Sequence, residues 1–342
     1  MRQMPIGTGP FVVKSFEQGK MIRLVRNPNY WKPGRPYLDG IDMPIITSTS
    51  TRHLAFMAGE TDIYSPSATL YKDVKAKLPD AICEVGLSHA YTRLLINPAV
   101  PPFGNQRVRQ ALALAIDRDA VVQTKGAGLD RIGGELMPPP EGAWGLGKGD
   151  LASIPGYGPD MEKRRDEARK LMREAGYGPD KLLTFVLSTR DVARYRDVSV
   201  MVLDHLSKIY MKGELKTIDT ALWTKVVEKH NYAVGVGSRG AAMDDPDVTF
   251  YENYMCNSPG NPDGYCNKEV EAMIDEQSAM IDQAARKRLV KEIDKRLQME
   301  AVRPTITFAA FPYCWRPYVK GYVPSLNNQY SNRRTENVWL DK

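Results

Sequence analysis

Two hydrophobic periodicities alternate along the chain. Short runs rich in β-branched and aliphatic residues are typical of strands, whereas longer stretches repeat apolar residues every three or four positions, as amphipathic helices do. The predicted strands lie at 22–25, 41–46, 94–97, 182–189, 215–218, 232–237 and 305–311. All of them are short. This alternation predicts a mixed α/β protein in which helices cover layered sheets.

The helical segments have apolar stripes and recognisable starts. One begins near Gln106, and three others follow residues whose side chains are suited to capping, namely Asp160, Asn267 and Asp282. Gly176 is the expected left-handed stop after the second helix, and the third stripe runs as far as Ile281. We interpret these stripes as core faces, because a surface helix of a globular protein must bury one side.

Residues 133–159 are predicted to form a long irregular loop that lines a site or wraps over a neighbouring lobe. Within the loop, GAWGLGKG at 142–149 has the glycine and lysine spacing of a phosphate-binding loop. However, Gly149 stands where a magnesium-binding Ser or Thr is needed, prolines rather than a strand precede the segment, and no helical pattern follows it. We therefore interpret the glycines as loop residues.

Composition excludes several classes of protein. The 342 residues carry 47 Lys and Arg against 41 Asp and Glu, a net charge of +6, which is too weak for the dense basic surface of a nucleic-acid binder. Hydrophobic residues make up 42% and charged residues 26%, as in an ordinary globular protein. The sequence has no apolar run long enough to span a membrane, and Met1 to Pro10 has no apolar signal-peptide core.

Motifs for catalysis and metal binding are missing from the sequence. The four histidines, His53, His89, His205 and His230, form no H-E-x-x-H motif, and no cysteine pair has zinc-ligand spacing. There is also no G-x-S-x-G nucleophile motif. We expect no catalytic residue, metal or cofactor, although a hydrolase with a convergent triad remains an alternative because such triads leave no sequence signature.

Two of the four cysteines flank a loop rich in Gly, Pro and Asn. Cys256 and Cys266 bracket NSPGNPDGY, a composition that favours tight turns and brings the loop ends together, as a short-loop disulfide requires. The alternative is two reduced, partly buried thiols, and the redox compartment decides between them. Cys83 and Cys314 carry no such signal.

Polar and aromatic residues accumulate just beyond the predicted strand 232–237. They are Arg239, Asp244, Asp245, Asp247, Tyr251 and Tyr254. Ligands of open α/β sheets gather outside the carboxyl ends of strands, so these residues are candidates for contact with a solute. Asp245 before Pro246 fits a helix N-cap equally well.

A second cluster follows the predicted strand 182–189. It contains Arg190, Arg194, Tyr195 and Arg196. An Arg guanidinium can hold a carboxylate through two hydrogen bonds, but a run this charged is also typical of a solvated surface. We take Arg190 and Tyr195 as ligand-binding candidates and add Trp223 to the set.

The order of several motifs resembles the family 5 extracellular solute-binding proteins, the peptide, nickel and oligosaccharide receptors of ABC importers. Each motif is weak alone, but they follow the family order over nearly the whole chain. They are PIGTGPF (5–11), RLVRNPNYW (23–31), PYLDGI (36–41), RHLAFMAGETDI (52–63), LLINPAVPPFGNQRVRQALALAIDRDAVV (94–122), DEARKLMREAGY (166–177), DDPD (244–247) and YCNKEVEAMID (265–275).

The resemblance implies a two-lobed, periplasmic-binding-protein-like α/β fold of class II that closes on a solute, delivers it to a membrane permease and catalyses nothing. Residues 1–96 with 311–342 are expected to form part of the large lobe and 97–310 the second lobe, joined by hinge strands at 94–97 and 305–311. The family also implies a periplasmic location. Its members are longer, so the chain is expected to lack their N-terminal part with its export signal.

One position departs from the peptide receptors of the family. They carry an amine-binding Asp three residues before the Asp-Pro pair, where this chain has Ala242. Asp244 is an uncertain substitute, because side-chain direction changes over two residues. A peptide is the leading ligand, with a glycoside or opine as the alternative. A receptor or chaperone outside transport is also open, since fold alone does not decide function.

Overall fold

The computed structural model describes residues 6–241, 243–261, 263–324 and 332–342. The chain divides into two compact units, one formed by residues 1–87 with 310–342 and the other by residues 88–309. The chain passes between the units within two long strands, β5 and β9, whose bounds follow below.

Eleven strands and eleven α-helices lie within the described ranges. The strands are β1 (Phe11–Glu17), β2 (Met21–Arg26), β3 (Gly40–Pro44), β4 (Ile63–Tyr64), β5 (Ile82–Ile96), β6 (Leu183–Arg190), β7 (Met211–Ile218), β8 (Val234–Arg239), β9 (Thr305–Trp315), β10 (Val319–Lys320) and β11 (Trp339–Leu340). The helices are α1 (Thr49–Met57), α2 (Ala68–Lys77), α3 (Gln106–Ala115), α4 (Arg118–Thr124), α5 (Lys148–Ala152), α6 (Met161–Glu174), α7 (Ala193–Ser207), α8 (Thr220–Glu228), α9 (Pro246–Tyr254), α10 (Lys268–Ala279) and α11 (Gln283–Met299). None of these helices is both long enough and apolar enough to cross a membrane.

The first unit contains a three-stranded antiparallel sheet in the order β1-β2-β3. Elsewhere in this unit β4 pairs antiparallel with the end of β9, and β10 pairs with β11. Helices α1 and α2 start at Ser48 and Ser67, whose hydroxyls accept backbone N–H groups of the first turn. A disulfide between Cys83 and Cys314 joins the start of β5 to the end of β9.

The second unit is built on a mixed sheet. Within it β5 runs antiparallel to β8, while β8, β6 and β7 run parallel to one another. Apolar side chains of this sheet form the main core with one face each of α3, α6 and α7. A second core lies among α9, α10, α11 and Trp144 of the preceding loop. The predicted stripes of α10 and α11 are therefore core faces, and those of α3 and α6 face the main core.

The helix predictions were confirmed at their starts. Asp160, Asn267 and Asp282 cap α6, α10 and α11 by accepting backbone N–H groups, and Gly176 has a φ of +88°. The third stripe was overextended: α10 ends at Ala279, and Ile281 is fully exposed. Ile281 continues the apolar spacing of the helix, but no core lies beside it to stabilise another turn.

Several strand and loop predictions need correction. The strands at 94–97 and 305–311 belong to β5 and β9, which are 15 and 11 residues long rather than short, and β1 was missed. In the loop 133–159 a helical turn, α5, starts at Lys148 inside the glycine-rich segment. It forms because Asp150 bonds the Gly147 N–H at 3.3 Å and Leu151 packs into a small core.

Candidate functional site

One edge of the sheet in the second unit collects polar side chains. Because β6 and β8 run parallel, their last residues, Arg190 and Arg239, lie at the same edge. The antiparallel strand β5 places Tyr91 opposite Arg239. Ala241, Met243, Asp244 and Asp245 lie between the end of β8 and the start of α9. Such an edge is where α/β proteins usually bind ligands.

A small pocket, open to solvent, lies beside this edge. Its walls come from β5, the loop 133–159, the segment before α9, and β9. The lining residues are His89, Tyr91, Glu135, Leu136, Met137, Ala241, Met243, Asp244, Asp245, Thr249 and Phe308.

Asp244 lies at the pocket wall and holds the loop 133–159 in place. Its Oδ2 accepts the Ala143 backbone N–H at 2.8 Å, and its carbonyl oxygen accepts the Trp144 indole N–H at 3.0 Å. Among the described residues no Lys or Arg forms an ion pair with this carboxylate. Asp244 therefore brings a negative charge to the pocket with no counter-ion of its own.

His89 lies on β5 in the same pocket and is 4% exposed. Its Nε2 has no hydrogen-bond partner within the described part of the chain. Burial lowers the pKa of the imidazole, and the nearby Asp244 carboxylate opposes that shift only in part. The ring is therefore neutral near pH 7, with one nitrogen available to a ligand.

Two residues of the pocket wall, Tyr91 and Glu135, belong to a fully hydrogen-bonded polar network. The Tyr91 hydroxyl donates to Glu135 Oε2 at 3.0 Å, and Gln298 donates to Glu135 Oε1 at 3.2 Å. Arg93 lies 3.8 Å from the same carboxylate and donates to Asn253 at 3.2 Å. Burial, followed by the Glu135 charge, raises the pKa of Tyr91. Each of these buried charges has its partners, as the interior of a protein requires.

Asp294 of α11 lies below this network and is completely buried. Its Oδ1 accepts the Glu135 N–H at 2.8 Å, whereas its Oδ2 has no partner among the described residues. Gly134 permits the contact, because a Cβ there would lie 2.4 Å from both carboxylate oxygens. Burial is the main cause that raises the pKa of Asp294 to about 7.

A second buried cluster surrounds Arg303, which is 1% exposed. The guanidinium donates to Asp263 and Asn261 and, at 2.6 Å, to the Asn253 carbonyl oxygen. Asp263 also accepts the Tyr232 hydroxyl. Burial is the largest single influence on the pKa of Arg303 and lowers it, but the charge and hydrogen bond of Asp263, together with Tyr254 and Glu135, raise the pKa overall. Asn261 and Asp263 belong to the loop that a Cys256–Cys266 disulfide closes.

The sequence profile described as bacterial extracellular solute-binding proteins, family 5 middle, matches residues 2–261. The chain belongs to this family. The periplasmic oligopeptide-binding protein OppA of Escherichia coli K12 is 26% identical over 98% of this chain and 61% of its own length.

Solved structures show the same fold. The periplasmic binding protein DppA of Helicobacter pylori, in complex with the peptide STSA, matches with a TM-score of 0.82 at 23% identity. AgaA of A. tumefaciens R10, in complex with agropinic acid, also has a TM-score of 0.82, at 22% identity. The alignments cover 99% and 100% of this chain and 64% and 68% of those proteins. The predicted two-lobed periplasmic-binding-protein fold is thereby confirmed.

The chain spans about three fifths of the length of the curated relatives it matches, at 61%, 58% and 57%. The family assignment therefore applies to the chain itself, while the activity and partners of a whole receptor are matters for proposal.

Of the candidate residues in this family 5 protein, Asp244 and Asp245 line the pocket. Asp245 also caps α9, accepting the Asp247 N–H at 2.9 Å, and pairs with Arg286 at 3.1 Å. Ala242, the position of the family's amine-binding Asp, lies outside the described residues.

The remaining candidates lie elsewhere in the second unit. Arg190 and Arg239 are at the sheet edge and each has a buried Nε–H without an acceptor among the described residues. Tyr195 is buried on α7 beneath Arg190, whose guanidinium is 5.3 Å from its ring. Tyr251 is at the surface and donates to Asp275 at 2.7 Å. Trp223 is in the core, against Gly235 and Gly237. Their ligand-binding roles stay predictions.

The sequence reasoning missed His89, Tyr91 and Glu135. A signal existed: His89, Tyr91 and Arg93 alternate with other residues, so one strand presents all three on the same face. The prediction started that strand at Leu94 and cut the pattern off.

Proposed function

We propose that this protein is the solute-binding component of an ABC importer, which captures a peptide or a similar small polar solute and delivers it to a membrane permease. The reaction is binding and release, with no catalytic step. A periplasmic location belongs to the same proposal. Family membership supports the receptor role, and the names of the relatives, oligopeptide-binding OppA among them, support a peptide as the leading solute.

The observation that carries the proposal is a sheet edge with polar groups of both signs, although the Arg239 guanidinium also lies 3.7 Å from Glu252. Arg190 and Arg239 offer Nε–H donors without acceptors, and Asp244 offers a carboxylate without a counter-ion. A zwitterion such as a short peptide supplies a carboxylate and an ammonium, which complement these groups. The small pocket of the second unit would hold one end of such a solute.

The expected lobe arrangement enters the proposal as well. We propose that the two units correspond to the lobes of the receptor, with the chain crossings in β5 and β9 as hinge segments that absorb the closing motion.

Calorimetry against a library of di- to pentapeptides, with STSA among them, tests the peptide version. We expect heat of binding with a subset of peptides and none with a matched sugar library. No heat with any peptide would contradict the peptide version. Uptake of the identified solute in a deletion strain, and capture of the permease by the purified protein, then test the transport role; unchanged uptake would contradict it.

An opine-type solute is the second candidate. It is favoured by the similarity in fold to AgaA, which was solved with agropinic acid, and by Ala242 at the family's amine-binding position. Agropinic acid in the same calorimeter separates the two candidates. Chromogenic esters and glycosides test the hydrolase alternative, for which we expect no turnover.

A further inference from the structure

Asp294 of α11 is a fully buried carboxyl group that contacts the start of the loop 133–159. Its Oδ1 accepts the Glu135 backbone N–H at 2.8 Å. A Cβ atom at Gly134 would lie 2.4 Å from both carboxylate oxygens, so only glycine lets the loop backbone come this close. The same segment supplies three residues of the pocket wall, Glu135, Leu136 and Met137. The contact with Asp294 therefore fixes where that wall lies.

The surroundings of Asp294 do not favour a negative charge. Within the described ranges its Oδ2 has no hydrogen-bond partner. From the loop, the Glu135 carboxylate adds a second negative charge, and Tyr157 is a neutral phenol because burial raises its pKa. Gln298 of α11 and Thr305 of β9, which bond to Glu135, are uncharged. Backbone N–H groups of the loop favour the ionised form of Asp294 but do not offset its burial.

Two cations of neighbouring elements are bound to other groups. Arg93 of β5 lies 3.8 Å from Glu135. Arg118 of α4 packs 4.1 Å from the centre of the Tyr157 ring and donates to three backbone carbonyl oxygens. An ionised Asp294 would thus be a buried charge without a counter-ion, which a protein interior tolerates poorly.

The rest of the loop is held by carboxylates in a different setting. Asp244 accepts the Ala143 N–H at 2.8 Å near the middle of the loop. Asp150 of α5 pairs with Lys291 and Lys295, each at 3.0 Å. Those two lysines belong to α11, so the cations of that helix neutralise Asp150 and none forms an ion pair with Asp294 among the described residues. Of these three attachments, only the one at Asp294 depends on a carboxyl group that is buried without a cation.

We propose that Asp294 positions the pocket wall as a pH-sensitive latch: when protonated it holds the loop at Glu135, and when ionised it releases residues 134–137 so that water reaches the charge. The latch closes at low pH, because burial is the largest influence on the pKa of Asp294 and raises it, so the closed state keeps the proton. The inference rests on the proposed solute-binding function for its consequence, a pocket wall whose position depends on pH.

Hydrogen–deuterium exchange of the full chain between pH 5 and 8 tests the latch without a solute. After correction for the intrinsic pH dependence of exchange, we expect the opening of 134–137 to increase about tenfold per pH unit up to about pH 7 and to level off above it, since the closed state holds one more proton than the open state. The amides of 143–144 should show no such increase. D294N keeps an acceptor for the Glu135 N–H but cannot ionise, so its opening should not change with pH.

The matched control is D150N. It removes another carboxylate that anchors the same loop, but the hydrogen bonds from Lys291 and Lys295 lower the pKa of Asp150 to about 2, outside the tested range. We expect this variant to keep the wild-type increase toward pH 7. G134A places a methyl group against the Asp294 carboxyl and should leave 134–137 open at every pH. Circular dichroism checks that each variant is folded.

Two results overturn the latch: opening of 134–137 that does not change with pH in the wild type, or an equal increase in D294N. Carbon-13 NMR of the aspartate-labelled wild type needs no variant; a carboxyl that titrates near pH 7 supports the latch, and none between pH 6 and 8 overturns it. Calorimetry with the peptide STSA at pH 6 and 8 then reports on the solute. Weaker binding at pH 8 in the wild type but not in D294N supports the coupling to the pocket, whereas no binding at either pH contradicts the peptide version of the function and does not alter the exchange result.

Discussion

Two polar clusters of the second unit, one around Arg303 and one around His89, differ in how completely their groups are partnered. Around Arg303 the charged groups have partners. Asp263 neutralises the guanidinium, which also donates to Asn261 and Asn253, and Asp263 accepts a further hydrogen bond from Tyr232. Around His89 the bonds are incomplete, with one imidazole nitrogen unpaired and the Asp244 carboxylate without a counter-ion. Buried polarity alone therefore does not mark a ligand site, because a fully partnered cluster such as the one around Arg303 has no bonding capacity left for a ligand.

The largest effect on stability is expected when the Arg303 cluster loses its positive charge. Arg303→Met keeps a long side chain but leaves the Asp263 carboxylate buried without its counter-charge, so we expect a loss of about 3–5 kcal/mol in the free energy of unfolding. Urea denaturation followed by circular dichroism measures it. Arg196→Met is the control, because it removes a partly exposed ion pair with Asp191 and should cost at most about 1 kcal/mol. Equal losses in the two variants would contradict the comparison.

The next effect concerns pH. Because burial raises the pKa of Asp294 to about 7 in the folded protein, well above the ordinary value of about 3.9 for an Asp, the native state holds this proton more tightly than the unfolded chain. Stability linked to Asp294 is therefore present below about pH 4 and is lost as the pH rises toward 7, by about 4 kcal/mol as an order of magnitude.

The substitution Asp294→Asn tests whether stability falls as the pH rises, as expected for Asp294. Asn keeps an acceptor for the Glu135 N–H but does not ionise, so the stability of the variant relative to wild type should rise between pH 4 and 7.5. Denaturant midpoints across that range give the difference. Parallel pH profiles for the two proteins would mean that Asp294 does not titrate there.

A smaller effect is expected from the loop that supplies Asn261 and Asp263. Replacing Cys256 and Cys266 by Ser releases a constraint between residues ten positions apart, which lowers stability by about 2.5 kcal/mol from loop entropy. Thermal unfolding of the double variant with the Cys83–Cys314 bond intact measures the loss. A melting temperature equal to that of wild type would show that the loop holds Arg303 without its disulfide.

The smallest effect on stability is expected for the cluster around His89. His89→Leu removes a nitrogen that has no partner, so stability should change by less than about 0.5 kcal/mol, whereas Tyr91→Phe breaks the bond to Glu135 and should cost about 1 kcal/mol. Both side chains are on the same face of β5, which makes them a matched pair in denaturant titrations. A greater loss for His89→Leu than for Tyr91→Phe would reveal a structural role for the imidazole.

Local features of this protein were readable from its sequence. The caps at Asp160, Asn267 and Asp282 and the left-handed Gly176 depend on residues within one helical turn, and the structure places each where the pattern predicted. The candidate disulfide between Cys256 and Cys266 spans one short loop, and the structure joins the two. Family membership also followed, because ordered motifs survive where overall identity is low.

Tertiary structure alone decided the pairs that are distant in sequence. The Cys83–Cys314 bond joins residues 231 positions apart and left no local pattern. The pocket brings His89, Glu135, Asp244 and Phe308 together from four separate segments. Periodicity and capping are set by neighbours a few residues away, whereas such juxtapositions depend on strand register and on the packing of a whole loop. For this chain, sequence determined the helix caps, the left-handed glycine and the family, and packing determined the full length of the long strands and which polar groups were left without partners.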